Sequence, residues 1–262
     1  MANENKAQRL AVLIDADNAS AKIVDGLFEE IAKIGEASVR RIYGDFSGTR
    51  SKGWADVLAK YAIIPQQQFA YTIGKNASDI TLVIDAMDLL HSGRFDGFCL
   101  VSSDSDFTRL AARIREEGVD VYGFGEQKTP ESFRQACRRF IYTENLVPQE
   151  PAKAGTAQTT RALEPLQNAA DLIRRVVGEM ESEGGWVNFS GLGSQIQNLA
   201  PDFDPRTFGY RKLSDLVRSL TAFELKQIDG GHLRLRPTPQ SAAKAPPAAK
   251  PPVAKKPAPS KP

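Results

Sequence analysis

The stretch that most constrains the fold is Leu100–Phe107, with the sequence LVSSDSDF. It begins inside an apolar run, Phe98–Val101, that predicts a buried strand of a parallel sheet. Polar and acidic residues follow at once, and apolar residues then recur at the spacing of a helix. Asp104 and Asp106 are therefore expected at the carboxyl end of a strand, where open α/β sheets keep their ligand crevices.

Strand-like and helix-like segments alternate along the first 147 residues. This alternation predicts βαβ units and an α/β fold with a central parallel sheet covered by helices on both faces. The predicted strands are Leu10–Ile14, Ser38–Asp45, Ile63–Tyr71, Phe98–Val101 and Val119–Gly125. The predicted helices are one that is capped by Ser20 and ends at Gly35, then Trp54–Tyr61, Asp79–His91, Phe107–Glu117 and Pro130–Phe140.

The remaining chain divides into a linker, a second domain and a tail. Residues 8–147 form the first predicted domain, and residues 148–163 are rich in Pro, Ala, Thr and Gln, which is typical of a linker. Three amphipathic helices and a hairpin within residues 164–237 indicate a small winged-helix-like domain. Residues 238–262 hold five lysines, no acid and many prolines, so we expect a disordered basic tail.

Composition narrows the chemistry that this chain can perform. The sequence holds no apolar run near the roughly 20 residues that cross a bilayer, and no signal peptide is visible, so we expect no membrane association. The two cysteines, Cys99 and Cys137, lie in core-like positions, which fits a reducing cytoplasm. Two histidines and two cysteines give no zinc-ligand spacing, so a metal here would be bound by oxygen.

Aspartates follow the first and the fourth predicted strand, and another aspartate begins the helix that precedes the fourth strand. They are Asp15, Asp17, Asp79, Asp104 and Asp106. Strand ends and the starts of following helices share one edge of a parallel sheet, so these carboxylates can converge there. Converging carboxylates are costly unless they are protonated or neutralised by a cation, and all-oxygen sites suit Mg²⁺ or Mn²⁺. Such an ion activates water and stabilises the charge that builds up on a phosphodiester.

The helix that carries Asp79 is expected to present that residue to the sheet. On a helical wheel Asp79 shares a face with an apolar stripe, whereas Asp85 and Asp88 fall on the outer side. The predicted stripe is Ile80, Val83, Met87 and Leu90. Asn18 is placed to orient Asp15 or a metal-bound water. Candidates for contacting phosphates are Lys75, Arg50 and Lys52.

Helix capping is the simpler explanation of each aspartate taken alone. Asp, Asn and Ser are the ordinary N-cap residues, and every one of these positions precedes a helix. Three such sites on one edge of the sheet favour the metal interpretation over capping.

Three segments together resemble a known domain family. The segments LIDADN, GKNASDITLVIDAMDLL and FCLVSSDSDFTRLAARIREEGVDVYGFG resemble the NYN family, the LabA-like branch of the PIN-like nucleases, over about Leu10–Leu146. The segment GSQIQNLAPDFDPRTFGYRKLSDLVRSLTAFELK is similar to an OST-HTH (LOTUS) module, which would cover about Leu166–Arg236. The two modules on one chain are also a known bacterial arrangement.

The resemblance implies a PIN-like three-layer fold and a metal-dependent endoribonuclease site. Its acidic positions map onto Asp15, Asp79, Asp104 and Asp106 as metal ligands, with Asn18 as a supporting polar group. The resemblance also offers Asp17 or Asp85 as an additional ligand. The second module implies RNA binding, and family members favour structured or G-rich RNA. The resemblance thus implies a Mg²⁺- or Mn²⁺-dependent ribonuclease to which the second module delivers RNA.

Two other functions stay open at this point. One is a non-catalytic RNA-binding regulator, in which the aspartates hold a structural metal or only cap helices. The other is a phosphohydrolase of the haloacid-dehalogenase class, with Asp15 as the nucleophile and Asp17 as the acid/base. Asn18 stands where that class has Thr or Val, and no cap-like insertion is evident, so this function is disfavoured.

Overall fold

The computed structural model describes residues 7–47, 51–68, 77–147, 163–228 and 232–238. Within these residues, the first domain is built on a six-stranded sheet in which every neighbouring pair of strands is parallel. Its strands are β1 (Gln8–Asp15), β2 (Gly35–Gly44), β3 (Ile64–Gln67), β4 (Gly97–Val101), β5 (Asp120–Gly125) and β6 (Arg139–Tyr142). The sheet confirms the predicted α/β class.

Helices cover both faces of this sheet. They are α1 (Val24–Ala32), α2 (Lys52–Tyr61), α3 (Ala77–His91), α4 (Thr108–Glu116) and α5 (Glu131–Ala136). Successive side chains of a strand point to opposite faces, and β1 shows this directly. Its Ala11 and Leu13 pack in the core beneath α3, α4 and α5, whereas Leu10, Val12 and Ile14 pack in the core beneath α1 and α2. The domain is therefore a three-layer sandwich.

The strand order places β1 and β4 side by side at the centre of the sheet. The order is β3-β2-β1-β4-β5-β6, so successive connections run outward from β1 in one direction and outward from β4 in the other. The carboxyl ends of the two central strands form the switch point, where open α/β sheets bind ligands. Asp15 is the last residue of β1, and Ser102 directly follows β4.

A second, smaller domain follows. Its helices are α6 (Leu166–Glu179), α7 (Phe189–Leu199) and α8 (Leu213–Ser219), and its strands are β7 (Val187–Asn188), β8 (Phe223–Gln227) and β9 (Leu233–Pro237). The strands β8 and β9 form the predicted hairpin, and β7 adds to it in the order β7-β9-β8. The proposed hairpin turn, most of the linker and most of the tail lie outside the described residues.

The structure corrects the prediction for Pro130–Phe140. The helix ends at Ala136, Cys137 is extended, and Arg139–Tyr142 forms a sixth strand that the sequence analysis did not predict. Phe133, Cys137 and Phe140 recur at helical spacing and share one core, so the local pattern favours a helix throughout. Pairing of β6 with β5, which is not visible in the local sequence, decides the conformation instead.

The predicted apolar face of α3 is also corrected. The buried residues of α3 are Leu82, Ala86, Leu89 and Leu90, whereas Ile80 is 62% exposed. The predicted outer position of Asp85 is wrong, because its carboxylate accepts hydrogen bonds from Arg41 and from the Tyr43 hydroxyl of β2, each at 2.8 Å. This pairing fixes the rotation of α3 about its axis. No helix within the described ranges is long and apolar enough to cross a membrane.

Gly26 gives a test of the close packing between α1 and the backbone that follows β6. A Cβ at Gly26, inside α1, would lie 2.9 Å from the backbone carbonyl carbon of Leu146, which follows β6. We expect Gly26→Ala to lower the free energy of unfolding by about 2 kcal/mol, because backbone must move to admit the methyl group. Gly178→Ala in α6 is the matched control. It meets nothing within 4 Å, so urea denaturation should show an unchanged or slightly raised stability. Equal effects would contradict this packing.

Candidate active site at the carboxyl edge of the sheet

Asp15 is the buried centre of the site. The residue is 1% exposed, and its carboxylate accepts four hydrogen bonds. Oδ1 accepts from the backbone amides of Asp17 (3.0 Å) and Asn18 (3.3 Å), and Oδ2 accepts from Asn18 Nδ2 (2.9 Å) and the Ser102 hydroxyl (2.7 Å). Burial raises the pKa of Asp15, and the hydrogen bonds from Ser102, Asn18 and Asp17 oppose that rise. These four bonds fill the lone-pair positions that a carboxylate offers.

Ser102 joins the two central strands at the switch point. Its hydroxyl donates to Asp15 at the end of β1 and accepts from the backbone amide of Asp104 at 3.0 Å. Ser102 is 2% exposed, so water does not compete for these bonds. The serine therefore sets the position of the Asp104 backbone relative to the Asp15 carboxylate.

Asp104 caps a short 3-10 helix, Ser105–Phe107, that leads into α4. Its Oδ1 accepts from the backbone amide of Asp106 at 2.9 Å, which confirms the capping role. Its Oδ2 has no hydrogen-bond partner among the residues that the structure describes. Asp106 is exposed in the first turn of that 3-10 helix. Capping accounts for one oxygen of Asp104 and leaves the other available.

Asp79 approaches the same edge from the first turn of α3. It accepts no hydrogen bond within the described ranges. Partial burial, and after it the negative charges of Asp15, Asp104, Asp17 and Asp106, together raise its pKa to about 6. Asp79 is thus the carboxylate whose pKa responds to the charges of the other four aspartates. We call these five residues the acid edge.

Asp17 and Asp85 have separate roles. Asp17 is exposed on the acid edge, and its Oδ2 accepts from the Ser78 hydroxyl of α3 at 3.2 Å. This bond links the loop after β1 to the start of α3. Asp85 instead forms an ion pair with Arg41 of β2. The structure therefore brings Asp17 to the site and leaves Asp85 out of it.

The donor set of the acid edge suits a hard divalent cation. Every candidate ligand is a carboxylate or hydroxyl oxygen, the ligand type that Mg²⁺ and Mn²⁺ prefer. Among the residues described, no group of three acidic, histidine or cysteine side chains is arranged closely enough to hold a metal by itself. An ion bound at the acid edge would therefore have to complete its coordination with water, as Mg²⁺ commonly does.

Of the cations predicted to contact phosphates, the structure describes only Lys52. It is exposed at the first residue of α2, at the same end of the sheet as the acid edge. Arg50 and Lys75 lie outside the described residues. Two further exposed cations start helical segments at this end of the sheet, Lys22 after β1 and Arg109 at the start of α4. Neither has an ion-pair partner in the described part of the chain.

Sequence reasoning did not predict that Ser102 and Ser78 bond to the aspartates of the acid edge. Ser102 links the Asp15 carboxylate to the backbone amide of Asp104, and Ser78 links Asp17 to the start of α3. For Ser102 a signal exists in the sequence, because the first polar residue after a buried strand, two positions before Asp104, is placed to bond the amide of that aspartate. No comparable signal identifies Ser78, whose partner is 61 residues away.

The comparisons with known families agree with this architecture. The family model of the NYN domain matches residues 9–144, which is more than half of the chain. The chain belongs to the NYN domain family. The model of the OST-HTH/LOTUS domain matches residues 164–235, so the second domain is an OST-HTH domain. The NYN fold is a nuclease-type fold that is generally dependent on divalent metal, and OST-HTH domains bind RNA.

Individual proteins give less information than the families do. No curated protein matches the chain. A crystal structure of a protein of unknown function from Vibrio parahaemolyticus is 17% identical, with a TM-score of 0.45 over 53% of this chain and 95% of the other. An uncharacterized protein from Nitrosomonas europaea, solved by NMR, is 30% identical over 35% of this chain and 89% of the other, with a TM-score of 0.26.

The geometry disfavours the haloacid-dehalogenase alternative. That chemistry needs Asp15 as a nucleophile with an oxygen available to attack phosphorus. In this NYN domain the carboxylate is buried, and its lone-pair positions are occupied by hydrogen bonds from Asp17, Asn18 and Ser102. The hydrogen bonds of Asp15 therefore hold the loops of the acid edge together and leave no oxygen available for attack.

The raised pKa of Asp79 predicts a stability gain when its charge is removed. Its ordinary pKa is 3.8 and its pKa in the folded chain is about 6, so between those values the folded chain binds more protons than the unfolded chain. Stability then falls as pH rises through this window. In EDTA at pH 7 we expect Asp79→Asn to raise the free energy of unfolding by about 1 kcal/mol, a figure reduced for solvent screening of a half-buried group.

Asp88→Asn on the exposed face of α3 is the control, and it should change the stability little. Denaturation with urea at pH 4.5 and pH 7 measures both variants. The difference between Asp79→Asn and the natural chain should shrink at the lower pH. A loss of stability at pH 7 would contradict the crowding of negative charge at the acid edge.

Proposed function

We propose that this NYN protein is a divalent-metal-dependent endoribonuclease, whose reaction centre is the acid edge and whose OST-HTH domain recruits the RNA. The observation that carries the proposal is the convergence of Asp15, Asp79 and Asp104 from three separate elements on the switch point of the sheet. Asp79 has no cationic partner there among the described residues. A bound cation would supply the missing positive charge.

The residues divide into metal ligands and supports. Asp79 and Asp104 have oxygens that no described residue uses, so they would bind a Mg²⁺ or Mn²⁺ ion directly, and Asp106 would complete the acidic set. Asp15 would contribute its charge and would bind the ion directly only by giving up a hydrogen bond, of which the exposed Asn18 side chain supplies the most accessible. When bound, such an ion supplies an activated water and stabilises charge on the phosphodiester.

The chain's own cations would hold the RNA backbone beside the ion. Lys22, Lys52 and Arg109 are exposed at the carboxyl end of the sheet and start helical segments there. Arg50 and Lys75 would add to this set. Phosphate contacts of this kind position the substrate without reading its sequence, so base selection would rest with the OST-HTH domain.

The OST-HTH domain also carries exposed basic residues. Arg175, Arg211, Lys212 and Lys226 are exposed, and none has an ion-pair partner among the described residues. We propose that residues of this set bind RNA that is structured or G-rich. The free, buried cysteines fit a cytoplasmic protein.

A second candidate function is a non-catalytic RNA-binding regulator. It is favoured by one specific observation, namely that Asp15 and Asp104 both accept hydrogen bonds from backbone amides of the segments that follow them. In that case the acid edge would cap helices and connect strands, and the OST-HTH domain would carry the whole function.

A circular RNA separates these two functions and shows the mode of cleavage, because it offers no end to an exonuclease. With Mn²⁺ or Mg²⁺ we expect the full chain to convert circular RNA to linear fragments, and EDTA should stop the reaction. Asp104→Asn should slow cleavage by at least about 100-fold, which equals about 2.7 kcal/mol of transition-state stabilisation.

Retention of RNA on a filter measures binding in the same samples. Asp104→Asn should still bind the RNA, and Asp88→Asn should cleave at the natural rate. Cleavage that survives Asp104→Asn would contradict the site. RNA that is bound by the natural chain and stays intact with both metals would favour the regulator.

A further inference from the structure

A loop of the OST-HTH domain lies against the edge strand of the nuclease-type sheet. The carbonyl of Pro201 accepts a hydrogen bond from the backbone amide of Phe140 in β6 at 2.8 Å. An edge strand has outward donors and acceptors that need a partner or a cover. We call residues 201–207 the clasp, because they provide that cover from another domain.

The clasp holds β6 from both faces of the sheet. On the face of α5, Asp202 accepts a hydrogen bond from the Tyr142 hydroxyl at 2.6 Å and forms an ion pair with Arg134. On the face of α1, Arg206 pairs with Glu30 at 3.1 Å. The loop therefore straddles the strand, with one charged contact on each side.

Glu30 is the most buried charge of this contact. Its side chain is 4% exposed, and it pairs with Lys33 and Arg139 of its own domain as well as with Arg206. Arg206 is itself fixed by Asp204, which receives hydrogen bonds from the Arg206 guanidinium and backbone amide. Because this one buried carboxylate pairs with cations from both domains, it holds the clasp in one register against the first domain.

The contact between the domains is polar. Among the described residues, each hydrophobic cluster belongs to one domain alone, with β6 and its neighbours on one side and Ala169, Phe208 and Leu216 on the other. Interfaces between domains of one chain are commonly of this polar kind. The clasp is thus a contact between two domains that each have their own hydrophobic core.

The contact between the clasp and β6, which we call the dock, lies close to the acid edge. β6 is two strands away from β4, which at about 4.8 Å per strand is a lateral distance of about 10 Å. The exposed cations Arg211 and Lys212 lie between the clasp and α8. RNA held by them would lie near the clasp, and so near the carboxyl end of the sheet.

We propose that the OST-HTH domain reads RNA from a fixed dock on β6, and so sets the distance along the RNA between the element that it binds and the bond that is cut. This inference rests on the proposed nuclease function. The alternative is a domain that moves freely on its linker, in which case the cuts would scatter around the bound element.

Docking is tested first without RNA, by cysteine cross-linking in the full chain. Asn145 Nδ2 and Thr207 Oγ1 lie 3.4 Å apart across the contact, and the two natural cysteines are buried. We expect Asn145→Cys with Thr207→Cys to cross-link at least tenfold faster than Asn145→Cys with Lys226→Cys, since Lys226 is an exposed residue of β8. Equal rates for the two pairs would overturn the dock.

Charge reversal gives the matched pair of variants. Asp202→Lys should slow the Asn145–Thr207 cross-link at least tenfold, because it places a cation against Arg134. Asp171→Lys reverses an aspartate whose partner, Arg174, lies in the same helix, and it should leave the rate unchanged. Equal slowing by both variants would show that the clasp does not hold the domains together.

The cut position is measured next on the RNA that the full chain selects from a random-sequence pool in EDTA. With Mn²⁺ we expect cuts clustered at one distance from the protected element. A Gly-Ser insertion in the linker should leave that distance unchanged, whereas Asp202→Lys should scatter the cuts. Scatter caused by the insertion would overturn the proposal. A cross-link that forms in a protein that never cleaves RNA would instead overturn the proposed nuclease function and leave the dock standing.

Discussion

The site depends on the hydrogen bond between the Ser102 hydroxyl and the Asp15 carboxylate. It joins the carboxyl ends of the two central strands, β1 and β4, at the point where the strand order of the sheet reverses. Ser102 also accepts a hydrogen bond from the backbone amide of Asp104. One buried hydroxyl therefore fixes the spacing between the acidic loops that follow β1 and β4. The other carboxylates of the acid edge lie around this pair, and burial together with the neighbouring negative charges raises the pKa of Asp79.

A buried polar anchor of this kind is costly to leave incomplete, because an unpaired buried group loses its hydration without compensation. In Asp15 all four acceptor positions are used. The rest of the acid edge is partly exposed and less fully bonded, so it keeps the capacity to bind an ion or a substrate. The site thus combines a buried, fully hydrogen-bonded support with an exposed acidic rim. The dock at β6 repeats this pattern, with the buried Glu30 as its anchor.

The sheet, the strand ends and the acid edge could be predicted from the sequence, since they follow from apolar runs and the residues next to them. Other features depend on contacts that are distant in sequence. The stripe Phe133, Cys137 and Phe140 favours a helix until β6 pairs with β5. α3 has apolar residues on most of its circumference, and the pairing of Asp85 with Arg41, which is distant in sequence, contributes to selecting the face that is buried. The partners of the clasp, Glu30 and Arg206, are 176 residues apart, and no local pattern connects them.

The central claim is that the acid edge binds a divalent cation, and Mn²⁺ binding to the full chain at neutral pH tests it most directly. Titration calorimetry of the natural chain, Asp79→Asn and Asp88→Asn would give three affinities. We expect the natural chain and Asp88→Asn to bind Mn²⁺ alike, with competition from Mg²⁺, and Asp79→Asn to bind at least about tenfold more weakly, a difference of about 1.4 kcal/mol. Equal affinities for all three chains, or no binding by the natural chain, would contradict the account.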